Sequence, residues 1–163
     1  VYVQTQIEIS ENLPLSTKDI QICIDLSLKA SALELLLPFA VNVRIVGWDE
    51  GLILNKKYKN GNLPTNVLAF KGNLEKEKSL GIHPPFLGDV VICFPVVEKE
   101  AIDQKKTFDQ HFAHILVHGF LHLLDFDHRN EKDEIIMQEL ENETLENFFI
   151  LRQIDQFPTI SMN

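Results

Sequence analysis

Residues 118–128 read HGFLHLLDFDH and hold three of the chain's six histidines. On an α-helix each residue rises about 1.5 Å and turns about 100°, so His118 and His122 share one face, about 6 Å apart along the axis. Two imidazoles so placed can share one metal ion. His114 lies on that face too, but about 12 Å from His122, too far for both to meet on an ion that His118 also holds. A third ligand must come from beyond the helix, and His128 qualifies if the helix ends near Leu124 and the chain folds back. Asp125 stands at that turn, and aspartate tolerates left-handed backbone better than most residues, though less well than glycine. Three neutral imidazoles with an open fourth position form a catalytic zinc site, in which the metal lowers the pKa of bound water to about 7. Nickel, copper and iron also suit three imidazoles. The alternative is a set of hydrogen-bonded core or surface histidines without metal.

The neighbours of these residues narrow the chemistry. A step of four and then six residues matches the metzincin protease pattern H-E-x-x-H-x-x-G-x-x-H, in which the glutamate is the general base. Gly119 stands at that position and cannot take a proton. His114 reads as a supporting or packing residue, and His111 and His83 as surface residues. Asp125 and Asp127 either orient a ligand imidazole through its second nitrogen or remain solvated turn carboxylates. Cys23 and Cys93 lack metal-type spacing and read as buried free thiols, which fits a reducing cytoplasm.

The elements that must position these residues follow from periodicity. Tyr2 to Ile9 alternates like a strand. Ser16, three residues before Asp19, reads as a helix N-cap; apolar residues recur at Ile20, Ile24, Leu28 and Leu35 to Leu37, and Pro38 stops the pattern. Residues 39–48 form a second strand and 50–59 a short helix ending in KNGNLP. TNVLAF and LGDVVICF are two further strands, separated by a loop of about fifteen residues. Pro95 suits the first position of a helix through Ala101. Helices follow from Thr107 to Leu124 and from about Lys132 to Phe149, the last with apolar residues at Ile136, Leu140 and Phe148. The order predicts an α+β (mixed α/β) single domain with a small central mixed sheet of about four strands and about five helices. It spans residues 1–151, with a C-terminal tail over 152–163.

With 163 residues and 45% hydrophobic content, the chain can build one ordinary core. No apolar run approaches the roughly 20 residues of a membrane-spanning helix, so no membrane partner is expected. The first stretch lacks the basic start of a secretory signal, although the chain opens on Val1 and a trimmed leader stays open. A formal charge of −9 argues against coating nucleic acid by bulk electrostatics. The charge is uneven, however. Lys56, Lys57, Lys59, Lys71, Lys76 and Lys78 face only Glu75 and Glu77, whereas eight acids against two basic residues lie between Glu131 and Asp155.

HGFLHLLDFDH resembles H-G-x-L-H-L-x-G-Y-D-H, the signature of the YbeY endoribonucleases, the rRNA maturation factors of bacteria. LNKKYKNGNLPTNVLAF (54–70) is similar to that family's L-N-x-x-[YW]-R-x-K-D-x-P-T-N-V-L-S-F, and LGDVVIC (87–93) to its L-G-D-[IL]-V-I-C. The three motifs agree in order and spacing from about Val43 to Phe149. The resemblance implies one metal, zinc or another divalent ion, held by His118, His122 and His128. It implies single-strand-specific cleavage of RNA, 3′-end maturation of 16S rRNA and ribosome quality control, in the cytoplasm. Expected partners are RNA and the small ribosomal subunit or its proteins, which the acidic last helix could meet. Where the family has an arginine after the aromatic, this chain has Lys59, the candidate catalytic residue. Lys59 keeps the charge but loses the bidentate fork; the other reading is a solvated lysine in a basic turn. Further departures are Gly61 and Asn62 for lysine and aspartate, Asp125 for glycine and Phe126 for tyrosine. Two other readings stay open: a hydrolase of similar geometry with another substrate, and a ribosome-assembly or metal-binding protein with weak or no catalysis.

Overall fold

The structure, a computed structural model, describes residues 1–156. The chain runs β1 (Tyr2–Ile7), α1 (Thr17–Ser31), β2 (Ala40–Val46), α2 (Trp48–Lys59), β3 (Val67–Lys71), α3 (Leu74–Ser79), β4 (Phe86–Cys93), α4 (Phe94–Asp103), α5 (Phe108–Leu123) and α6 (Glu131–Gln156). The strands form one sheet in the order β1-β2-β4-β3. β1, β2 and β4 run parallel, and β3 joins the edge antiparallel to β4. This is the single α+β domain with a four-stranded mixed sheet that the sequence predicts.

The sheet separates two apolar layers because alternate strand residues face opposite sides. Val41, Val43 and Ile45 of β2, with Val90 and Ile92 of β4, meet Ile20, Ile24 and Leu28 of α1 and Phe112, Leu116 and Phe120 of α5 in the main core. Val46, Leu68, Val91 and Cys93 face the other way, against Leu54 and Phe70. α5 contacts α1, α4, α6, β3 and β4. It passes very close to the sheet: a Cβ on Gly119 would stand 2.8 Å from methyl groups of both Val67 and Val90. Glycine is therefore needed at 119 for packing, whatever its absence of a side chain means for chemistry.

Three expectations shift. Ser16 and Asp19 do form a reciprocal capping box at the start of α1, but the helix ends well before Pro38. Ala32 turns left-handed at φ 56°, a single 3₁₀ turn spans Glu34–Leu36, and Leu35 is 96% exposed. The loop between β3 and β4 contains α3, capped by Asn73, which brings the α-helices to six among the described residues. α3 buries no residue, so it leaves no apolar period to read. α6 begins at Glu131, just after Asn130, whose side-chain oxygen accepts from the Asp133 amide, and its buried stripe is Met137, Glu141, Thr144 and Phe148. Ile136, expected on that stripe, is 39% exposed.

The tail expected from residue 152 overlaps the end of α6. Arg152 there donates to Asp109 at 2.7 Å and to the Pro14 carbonyl at 3.2 Å. Residues 157–163 of that tail lie outside the described residues. Cys23 and Cys93 are both buried and free, as expected. No helix among the described residues is long and apolar enough to cross a membrane.

Candidate metal centre

α5 carries His118 and His122 one turn apart, and the following turn decides where His128 goes. The Phe126 amide donates to the Leu121 carbonyl and the Asp125 amide to the His122 carbonyl, each at 3.1 Å. This is a Schellman closure with Asp125 in the left-handed position at φ 73°. Aspartate does here the work of the glycine that the motif normally carries. Its carboxylate also pairs with Lys71 at the end of β3. The Asp127 carboxylate accepts from the His128 amide at 2.8 Å and fixes the next residue.

The turn returns His128 to the helix. The ring centroids of His118 and His122 are 4.6 Å apart, those of His118 and His128 5.8 Å, and those of His122 and His128 5.4 Å. One nitrogen from each ring lies within 4.8 Å of the others, so the three could hold a metal ion. The Nε2 atoms of His118 and His122 face each other at 3.1 Å. A tetrahedral ion with zinc–nitrogen bonds of about 2.0–2.1 Å sets its ligands about 3.3 Å apart, so this pair fits such an ion almost without movement. His128, with its side chain 55% exposed, has room to close the remaining distance. Burial, followed by the neighbouring rings of His118 and His128, lowers the pKa of His122 despite the opposing Asp127 carboxylate. A neutral imidazole keeps the lone pair that a metal needs.

Glu141, which sequence reasoning missed, completes the arrangement. It is 4% exposed on α6, and its Oε2 lies 2.9 Å from His114 Nε2 and 3.3 Å from His118 Nδ1. Burial raises the pKa of this carboxyl, but its hydrogen bonds with His114 and His118 and their charge outweigh that, leaving it at about 2. An ionised Glu141 accepts the Nδ1 proton of His118, which fixes the tautomer and leaves Nε2 free toward the other rings. Nothing in the local sequence set it apart from Glu139 and Glu143, because its burial comes from the packing of α6 on α5.

Other expectations resolve as follows. His114 supports the site through Glu141. His111, expected at the surface, is 3% exposed, with Nε2 3.0 Å from Glu100 Oε1 and Nδ1 buried without a partner. It is buried because α5 packs against α4, which supplies the carboxylate. His83 is exposed. Asp127 stands 4.0 Å from His122 Nδ1, beyond hydrogen-bond range. Lys59 ends α2, and Asn60 follows at φ 55°. The loop after it is pinned by Asn55, which donates to the Leu63 carbonyl at 2.6 Å. Lys59 thereby reaches the same cleft, about 760 Å³, as the three histidines, and Lys71 and Arg129 line it as well. Three cations thus line the histidine cleft of a chain whose net charge is −9, and two of them are paired there, Lys71 with Asp125 and Arg129 with Asp127.

The sequence model of a family described as Endoribonuclease YbeY matches residues 4–149. Proteins named Endoribonuclease YbeY from Xanthomonas axonopodis pv. citri (strain 306) and Stenotrophomonas maltophilia (strain R551-3) are 47% and 44% identical over 103 residues. Each match covers 63% of this chain and spans 64% of the relative's length. The solution structure of TM1509 from Thermotoga maritima superposes with a TM-score of 0.60 over 93% of both chains at 23% identity, a likeness of fold. With residues 4–149 of its 163 matched by that family's model, the chain belongs to the Endoribonuclease YbeY family.

Proposed function

We propose that the protein is a metal-dependent endoribonuclease that cuts single-stranded RNA, with zinc held by His118, His122 and His128 and with Lys59 as a catalytic residue. The observation that supports it most is the convergence of three imidazoles in a cleft that Lys59, Lys71 and Arg129 also line. Zinc in such a site supplies Lewis acidity and brings the pKa of bound water to about 7.

The chain's own residues do the rest. The three cations draw a phosphate backbone into a molecule that is otherwise acidic. Glu141 holds the His118 ring so that its lone pair points into the cluster. Lys59 offsets the negative charge that builds on the phosphoryl oxygens as a nucleophile attacks; its ammonium gives charge without the two-pronged grip of arginine. The attacking oxygen comes from water or from the RNA's own 2′-hydroxyl. The products separate the two, since attack by the 2′-hydroxyl leaves a 2′,3′-cyclic phosphate. Family membership supports the 3′ end of 16S rRNA as the substrate, ribosome quality control as the setting and the cytoplasm as the place. The acidic face of α6 suits contact with basic ribosomal proteins.

The test is cleavage of labelled single-stranded RNA, with a duplex control, before and after chelation. Cutting should be confined to the single strand, disappear with chelator, return with zinc and be absent in His118→Ala. Lys59→Ala should lower kcat/KM about tenfold, less than the roughly hundredfold or greater loss of an enclosed oxyanion donor, because Lys59 is exposed. Chelator-insensitive cutting or full activity of His118→Ala would overturn the reading. Absence of cutting with retained ribosome binding would favour an assembly factor.

A further inference from the structure

We propose that the cavity beside the metal cleft is a nucleobase subsite, which takes the base of a nucleotide flanking the scissile phosphate while the cationic cleft holds the phosphates. The proposal rests on the nuclease reading and goes one step past it, to how the strand is divided between two compartments.

The cavity, about 490 Å³, shares Asn66 and His118 with the cleft and continues along α5 past His114. Its charge balance differs from its neighbour's. The cleft has Lys59, Lys71 and Arg129 against Asp125 and Asp127; the cavity has no lysine or arginine among the described residues that line it, and two carboxylates, Glu100 and Glu141. A phosphate there would meet two carboxylates, with only the histidines that already pair with them and no lysine or arginine beside them. The remaining walls carry neutral amides: Asn66, Gln104, Gln138 and Asn142. Each amide offers both donors and an acceptor, the combination that matches the edge of an unpaired base.

The charged groups are already committed, which leaves the amides to meet a ligand. Glu100 accepts from Asn66 Nδ2 at 3.1 Å and lies 3.0 Å from His111 Nε2, so the side-chain Oδ1 of Asn66 is left for an incoming donor. Gln104 and Asn142 have no side-chain hydrogen-bond partner among the described residues, and both are exposed. His114 has its Nε2 fixed by Glu141 while its side chain remains 35% exposed, so its ring offers a surface for stacking. Asn66, common to both compartments, marks where the strand would cross from one to the other.

The experiment scans a single abasic site along a labelled single-stranded RNA octamer. Affinity and cleavage are measured with zinc-loaded protein and with the Gln104→Ala/Asn142→Ala double variant, whose zinc content is checked alongside. One abasic position should weaken binding and raise KM roughly tenfold, in line with the loss of one stacked base. The double variant should bind intact RNA more weakly by a similar factor, hold the same zinc, and no longer respond to that abasic position. Equal affinity for intact RNA and every abasic octamer would overturn the subsite, as would an undiminished abasic response in the double variant. If the zinc-loaded protein binds RNA but never cuts it, the nuclease reading fails, and the affinity scan still decides the subsite by the same outcomes.

Discussion

His118 and His122 grow from a helix enclosed by α1, α4, α6 and the sheet, whereas His128 stands on a turn that is largely open to solvent. The helical pair is placed by backbone packing that Gly119 makes possible, and the His118 ring is held by the buried Glu141. His128 is placed by a left-handed aspartate, an exposed contact with Lys71 and the Asp127 carboxylate on its own amide. Two imidazoles are thus pre-organised, and the third depends on a short stretch whose supporting groups are worth little individually in water. Such a site combines a rigid half that sets geometry with a pliant half that can adjust as an ion enters.

The largest effect should come from breaking the rigid half outright. His122→Ala should reduce bound zinc from about one ion per chain to almost none by elemental analysis, with the circular dichroism of the fold retained. Next, Glu141→Gln keeps the volume but loses the ionised acceptor, and zinc affinity in a chelator competition should fall about 10–100-fold, the usual cost of losing an orienting partner. The pliant half should respond less and in both directions. Asp125→Val puts a β-branched residue at φ 73° and should weaken zinc binding and lower the midpoint of urea unfolding. Asp125→Gly suits that backbone and should change stability by about 1 kcal/mol or less, since relief of strain offsets the exposed Lys71 contact. If Asp125→Val bound zinc as tightly as the native protein, the turn would have no part in the site.

The division between the two halves also explains what the sequence made legible. Period and turn chemistry are local, so the spacing of His118 and His122, the need for a reversal at Asp125, and the alternating strands could all be read directly. Glu141 could not be placed the same way, because what draws it inward is the contact of α6 with α5, a tertiary fact. Its sequence neighbours Glu139 and Glu143 make it look like one more solvated acid. His111 follows the same rule: only the approach of Glu100 on α4 makes its burial tolerable. The early end of α1 was hidden because Ala32 adopts a left-handed conformation with no glycine to announce it. Lys59 was legible as a charge near the motif, while its arrival in the histidine cleft depends on the Asn55 contact that folds the loop after α2.

X-ray absorption at the zinc edge tests the three-imidazole site most directly, with zinc-loaded protein compared with its His128→Ala variant. The expected result is three imidazole nitrogens at about 2.0–2.1 Å in the native protein and two in the variant. Two imidazoles in the native protein, or identical spectra from both, would contradict the folding of His128 onto His118 and His122.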